Sequence, residues 1–182
     1  MRDQSEWRSN EAAMSESRLA YLNLGSNIEP EINLVKAIEL LHKHGEVQAV
    51  SSAWESRSVG AAGPNYLNAC VAFNSAFSPF ELKERIIRPI EAQLGRKRSE
   101  NRYVPRPIDI DIVLFNDKPH NDKFWRYAFV IIPLAEIYPE YQNPLTRESI
   151  LQTAARLRRE VWMEARPEVL SQFSGNSNRV QS

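Results

Sequence analysis

Between Arg96 and Phe115 the chain carries the residue types that handle phosphate and hard cations. Arg96, Lys97, Arg98, Arg102 and Arg106 come first, and Asp109 and Asp111 follow two residues apart. Guanidinium groups present planar forks that match phosphate oxygens. Mg²⁺ prefers oxygen ligands and commonly takes one or two carboxylates, with substrate phosphates supplying others. Carboxylates at i and i+2 of a strand project from one face, with Cα atoms roughly 6–7 Å apart. Acids that can hold a cation beside bases that can hold phosphate describe a site for a nucleoside triphosphate. Either half alone is ordinary solvated surface. The conjunction is less ordinary, because Pro105 and Pro107 bracket Arg106. Each proline fixes its own φ and holds its predecessor extended. One arginine is thereby presented in a set place just before the acids.

The elements that must position these residues read as follows. Ile108, Ile110, Ile112 and Leu114 alternate with Asp109, Asp111, Val113 and Phe115, which predicts a strand with one aliphatic face over a core. Upstream, Leu19–Leu24 predicts a strand and Gly25-Ser26-Asn27 a tight turn. Pro30 opens a helix over Glu31–His44 whose apolar positions are Ile32, Leu34, Val35, Ile38, Leu40 and Leu41. His42 and His44 fall at its end as surface residues, and Gly45 closes it. Glu46–Glu55 is a second strand. A long loop over Ser56–Asn65 leads to a third strand, Tyr66–Phe73. Asn68 interrupts that strand. It either satisfies backbone groups or reads the edge of a bound heterocycle. Ser78 caps a helix over Pro79–Leu94, in which Pro89 should produce a bend. After the Asp strand come a polar turn, an apolar run from Phe124 to Ile132, a helical turn at Pro133–Ile137 and a helix at Glu148–Glu160. The order is α+β: a ferredoxin-like βαββαβ sandwich with a C-terminal helical appendage. Residues 1–17 are expected as a disordered extension, 18–160 as the folded domain and 161–182 as a polar tail.

The totals bound the partners. The 182 residues suit one domain, and the formal net charge is zero. No global field therefore favours nucleic acid or membrane, and any phosphate binding must come from a local cluster. The single cysteine, Cys70, lies in an apolar run and reads as core packing, which suits a reducing cytoplasm. No apolar run is long enough to span a bilayer. There is no P-loop, no dinucleotide fingerprint and no His/Cys cluster with zinc spacing.

Five segments together resemble the 6-hydroxymethyl-7,8-dihydropterin pyrophosphokinases of folate biosynthesis. They are NLGSN at Asn23–Asn27, GPNYLNA at Gly63–Ala69, IEAQLGRKR at Ile90–Arg98, RYVPRPIDIDIVLF at Arg102–Phe115 and FVIIPLAEIYPE at Phe129–Glu140. The resemblance spans roughly Ala20–Leu157. It implies transfer of pyrophosphate from ATP to the pterin hydroxymethyl oxygen, giving AMP and the pterin diphosphate. It implies that Asp109 and Asp111 hold two Mg²⁺ ions and that Arg96 and Arg106 act on the triphosphate with them. Arg98, Arg88, Ile112, His120 and Arg126 map to ATP-binding positions. Gly25, Ser56, Val59, Tyr66, Asn68, Tyr103 and Phe129 map to the pterin pocket, with Tyr103 and Phe129 sandwiching the ring. A monomer or weak homodimer is expected, with small molecules rather than nucleic acid or membrane as partners.

The chain departs from the family between Phe115 and Phe129, where the connection is short. Pro119-His120 either stands for the family's Pro-His pair, with the strand before it lost, or matches it by accident, and Arg126 stands for a later arginine, one residue out of register. Arg57 and Ser58 stand where prolines are common. Two other readings fit the same element order: a relative with altered substrate, and an RNA-binding module that stacks bases on strand aromatics. Mg²⁺-dependent ATP binding separates the first two readings from the third.

Overall fold

The computed structural model describes residues 18–58, 63–97 and 104–176. The expected N-terminal extension, Val59, Arg98 and Tyr103 lie outside the described residues. Strand β1 (Arg18–Ser26) runs through the middle of one antiparallel sheet, between β4 (Tyr66–Ser75) and β5 (Asp109–Phe115). Beyond β4 lie β2 (Glu46–Val50) and β3 (Ala53–Ser56), and β7 (Met163–Arg166) pairs on β3. The two-residue β6 (Lys118–Pro119) pairs on β5. Asn116 and Asp117 both take positive φ between them, the geometry of a tight two-residue hairpin.

Helices cover both faces. One core joins Leu22, Leu24, Val71, Phe73, Ile110 and Ile112 to α1 (Pro30–His42) and to a continuous helix made of three pieces. These are α2 (Pro79–Leu82), a π-helical segment Lys83–Ile87 and α3 (Arg88–Gln93). The other core joins Tyr21, Cys70, Ala72, Val113 and Leu114 to α4 (Ala128–Ile137) and α5 (Ile150–Glu160). Cys70 is fully buried there, and burial pushes its thiol far up, as core packing requires.

Several sequence expectations change in detail. In α1, Ile32 is 48% exposed, because it sits about 200° around the helix from Leu34, away from the face shared by Leu34, Ile38 and Leu41. The expected single strand Glu46–Glu55 is broken after Val50. Ser51 pairs its N–H with the Cys70 carbonyl (2.9 Å), and the Ser52 N–H turns to the Glu136 carboxylate of α4 (2.7 Å). Leu114 leaves the face of Ile110 and Ile112, because the β1–β5 register slips between Tyr21 and Leu22. An extra residue at such a bulge reverses the alternation, so Val113 and Leu114 both enter the second core and Phe115 packs on the first. Pro89 is absorbed by the π-helical turn: the Arg88 N–H reaches Lys83 O, five residues back, rather than four. The apolar run Phe124–Ile132 becomes a 3-10 turn, Asp122–Arg126, and the start of α4. Residues 163–176, expected as tail, are instead β7 and a 3-10 segment, Pro167–Asn176, that buries Leu170. The short strand had no periodicity long enough to be read. Among the described residues no helix is long and apolar enough to cross a membrane.

Candidate active site

The second sheet face is apolar at Tyr21, Cys70 and Val113 and turns polar toward one end. There β1 contributes Asn23 and Gly25, β4 contributes Tyr66 and Asn68, and β5 contributes Asp109 and Asp111. The antiparallel register sets Asn23 opposite Asp111 and Gly25 opposite both Asp109 and Asn68. Residues at i and i+2 share a face, so all six side-chain positions open on the same side. Helix α4 covers the sheet further along and leaves this end as a cleft.

Three cavities meet at Asp111. The first, of about 330 Å³, is lined by Lys83, Arg88, Glu91, Arg96, Lys97, Val104, Pro105, Arg106, Asp109, Ile110 and Asp111. Five cationic side chains face three anionic ones there, which suits a polyanion. The second, of about 520 Å³, is more apolar and includes Ile87, Ile112, Val113, His120, Phe124 and Phe129. The third, of about 270 Å³, is lined by Asn23, Gly25, Ser56, Arg57, Tyr66, Asn68, Arg106, Asp109, Asp111 and Phe129.

Asp109 is held from both sides. Arg96 Nη1 donates to its Oδ1 at 2.5 Å, and Arg106 Nη1 donates to its Oδ2. Arg96 also pairs with Glu91, whose Oε1 accepts the Ile110 N–H at 2.9 Å. Glu91 is only 7% exposed, and burial raises its carboxyl, with the Ile110 amide and Arg96 acting in the opposite sense. Asp111 opens to water at the cleft floor, yet its carboxyl is also raised, first by the surrounding protein and then by Asp109, with Lys83 opposing. Both facts suit a group at the bottom of a concave site, where water reaches it from one side.

Arg106 is fixed through its backbone as well as by its flanking prolines. Its N–H donates to Asn27 Oδ1 at 2.7 Å, and its carbonyl accepts the Asn27 N–H at 3.1 Å. Ser26 Oγ donates to the Pro107 carbonyl at 2.5 Å. The Ser26-Asn27 turn therefore clamps the segment that delivers the arginine. At Gly25 an added Cβ would lie 3.2 Å from Asn68 Oδ1, so glycine leaves room for that amide. Asn68 Nδ2 donates to Ser56 Oγ at 2.9 Å and, more weakly, to Trp54 O at 3.4 Å.

Most residues expected from the sequence are brought together. Arg88, Arg96, Arg106, Asp109 and Asp111 share the first cavity, Ile112 and His120 the second, and Gly25, Ser56, Tyr66, Asn68 and Phe129 the third. Arg126 is not gathered with Ile112 and His120. It ends the 3-10 turn on a separate cavity with Arg57, Tyr127 and Trp162. Sequence reasoning missed Asn23, Asn27, Lys83 and Glu91. Asn23 interrupts an apolar strand as Asn68 does, a signal that could have found it. Lys83 reaches the junction of the first two cavities from the π-helical turn, which no local pattern announces.

The donor set fits a hard divalent cation in one particular way. Among the described residues no group of three or more His, Cys, Asp or Glu side chains could hold a metal. Two carboxylates at i and i+2 in a basic cleft suit Mg²⁺ that completes its shell with phosphate oxygens and water.

A family model for 7,8-dihydro-6-hydroxymethylpterin-pyrophosphokinase matches residues 21–139. A 2-amino-4-hydroxy-6-hydroxymethyldihydropteridine pyrophosphokinase of Bacillus subtilis is 37% identical over 154 residues, covering 78% of this chain and 90% of the relative. One of Synechocystis is 37% identical over 145 residues, covering 73% of each. A solved HPPK-DHPS of Plasmodium falciparum aligns with TM-score 0.64 at 14% identity, over 82% of this chain and 43% of that one. That likeness speaks for the fold alone, and this chain spans less than half of the longer protein. The family match covers well over half of the 182 residues, and with such relatives it establishes that the chain belongs to the 7,8-dihydro-6-hydroxymethylpterin-pyrophosphokinase family.

Proposed function

We propose that this chain transfers pyrophosphate from ATP to the hydroxymethyl oxygen of 6-hydroxymethyl-7,8-dihydropterin, releasing AMP. The convergence of the three cavities on Asp111 carries this reading. The basic cavity takes the triphosphate and the apolar cavity beside Ile112 and His120 takes the nucleoside. The cavity of Gly25, Ser56, Tyr66, Asn68 and Phe129 takes the pterin. Asn68 hydrogen-bonds the heterocycle edge, and Phe129 stacks on its ring; the family resemblance assigns the opposing aromatic to Tyr103, which lies outside the described residues. The family resemblance assigns Val59 to the pterin and Arg98 to the triphosphate, and both lie outside the described residues.

Asp109 and Asp111 would hold two Mg²⁺ ions, which supply charge neutralisation across the phosphates. Arg96 and Arg106 both share Asp109 and can release it to a cation while turning their forks to phosphate oxygens. The attacked atom is the β-phosphorus, and the bond that breaks joins it to the bridging oxygen of the α-phosphate. Negative charge grows on the leaving AMP and on the transferring group, where fixed guanidinium groups act by position and electrostatics. No covalent enzyme intermediate is required. We assign the core to the ferredoxin-like βαββαβ class, a reading supported by the strand order β5-β1-β4 with β2 and β3 next. Residues 18–160 carry the catalytic unit, which works in the cytoplasm as a monomer or weak homodimer.

AMP formation with ATP, Mg²⁺ and the pterin tests the assignment, run beside Asp111→Ala. AMP that requires the pterin and falls by about 10²–10³ in the variant supports it. Near-normal turnover by Asp111→Ala would refute the role of that carboxylate.

A further inference from the structure

Asn23 stands in the middle of β1, which is paired on both sides, and is 6% exposed. Its Oδ1 is buried and has no hydrogen-bond partner. Leaving a buried acceptor unpaired costs about 1–3 kcal/mol, and native proteins keep few of them. The fold does not ask for an amide here. The next residues on the same face are Tyr21, which is apolar in its packing, and Gly25; the neighbouring Leu22 and Leu24 are wholly buried in the other core. An aliphatic side chain would serve the sheet better. Asn23 lines two cavities of the cleft, so a group that enters there can be the partner the oxygen lacks.

Its position says what that is. Asn23 is the cross-strand neighbour of Asp111, and such pairs bring side chains to about 4.5–5.5 Å at Cβ. It lines both the 520 Å³ and the 270 Å³ cavities, as Asp111 does. An amide oxygen can only accept. Carboxylates that hold a cation have nothing to donate, and Asn68 is assigned to the ring side of the pocket. The donor that belongs between two acids and two substrate cavities is an O–H polarised by a cation.

We infer that Asn23 is a positioning residue whose side-chain oxygen accepts a hydrogen bond from an O–H bound to the cation at Asp111. That O–H is either the substrate's hydroxymethyl group or a cation-bound water. The inference rests on Asp109 and Asp111 being the cation ligands. For the hydroxymethyl group, the bond would aim the oxygen lone pair at phosphorus. For water, it would set the orientation of the cation's shell.

The test uses the full chain with Asn23→Ala, Asn23→Leu and Asn23→Asp. The first two remove the acceptor with and without loss of volume, and the third keeps an oxygen in place. Without ligand, Asn23→Leu is expected to melt at or above the wild-type temperature, because the unpaired oxygen is gone. Calorimetry then compares 6-hydroxymethylpterin with 6-methylpterin, in Mg²⁺ and a non-hydrolysable ATP analogue. Loss of about three- to tenfold for the hydroxymethyl compound alone, in both Ala and Leu variants, identifies the substrate hydroxyl. A similar loss in Mg²⁺ affinity for the analogue complex, measured without pterin, identifies the water. In either case Asn23→Asp should retain binding. Wild-type affinities for both pterins and Mg²⁺ in the Ala and Leu variants would overturn the inference. So would losses that track a fall in melting temperature. Asp111→Ala, measured alongside, must lose Mg²⁺; if it does not, the reading of the cation site has failed rather than the role of Asn23.

Discussion

Replacing Glu91 by alanine separates the two things this carboxylate does. It is an ion-pair partner of Arg96 and the acceptor for the Ile110 N–H at 2.9 Å. Burial raises its carboxyl, so the charge itself is no net gain for folding. Arg96 keeps Asp109 when Glu91 is removed. What alanine leaves behind is an unpaired amide beside a fully packed strand, at about 1–3 kcal/mol. For a chain of this size that lowers Tm by about 2–12 °C. Glu91→Gln keeps an oxygen for Ile110 and should lie within about 1 kcal/mol of wild type. The sign of the pH dependence follows from the raised folded value. The carboxyl's contribution is whole below the unfolded glutamate value, ordinarily 4.5, and is lost as pH rises through the higher folded value. The wild type should therefore lose ground against Glu91→Gln as pH rises across that window. Both variants loosen one of two anchors of Arg96, and a misplaced guanidinium lowers kcat/KM for ATP by about 10²-fold. Urea unfolding at several pH values, with nucleotide kinetics, checks all of this. Equal stability of the Ala and Gln variants would refute the reasoning.

Three further outcomes are expected. Gly45→Ala sets its Cβ at 2.6 Å from the Asn74 carbonyl and 2.5 Å from the Phe73 ring, so unfolding should show a loss of about 1–3 kcal/mol. Glu55 is held below the usual glutamate range by Asn65 (2.8 Å) first and by Arg166 (2.9 Å), so its contribution exists above the unfolded value and is lost as pH falls through the lower folded one. Amide exchange should show β7 loosening in acid, and Glu55→Gln should remove that dependence. Arg106→Lys keeps a charge but not the fork, and a loss in kcat of about 10²-fold or more is expected, while an unchanged kcat would argue against fork-like recognition.

The chemistry was legible where side-chain type and period coincided. Asp109 and Asp111 alternate with isoleucines, and the prolines around Arg106 announce a fixed cation. The clamp on that arginine was not legible, because Asn27 reaches it across 79 residues. Alternation alone puts Leu114 on the face of Ile110 and Ile112, because a bulge depends on pairing with β1 and not on local pattern. The break between β2 and β3 depends on Glu136, which arrives from a distant helix. Lys83 reached the cleft through a π-helical turn that accommodates Pro89, whereas the sequence implied only a bend. Strand β7 has four residues and is specified by the edge of β3 it completes.

In the proposed reaction the attack falls on the β-phosphorus, in a cleft organised by Asp111. Phosphorus NMR of the reaction with ATP, Mg²⁺ and 6-hydroxymethyl-7,8-dihydropterin tests it most directly. AMP and a pterin diphosphate should appear in equal amounts, with no ADP. ADP with a pterin monophosphate would place the attack at the γ-phosphorus and contradict the claim.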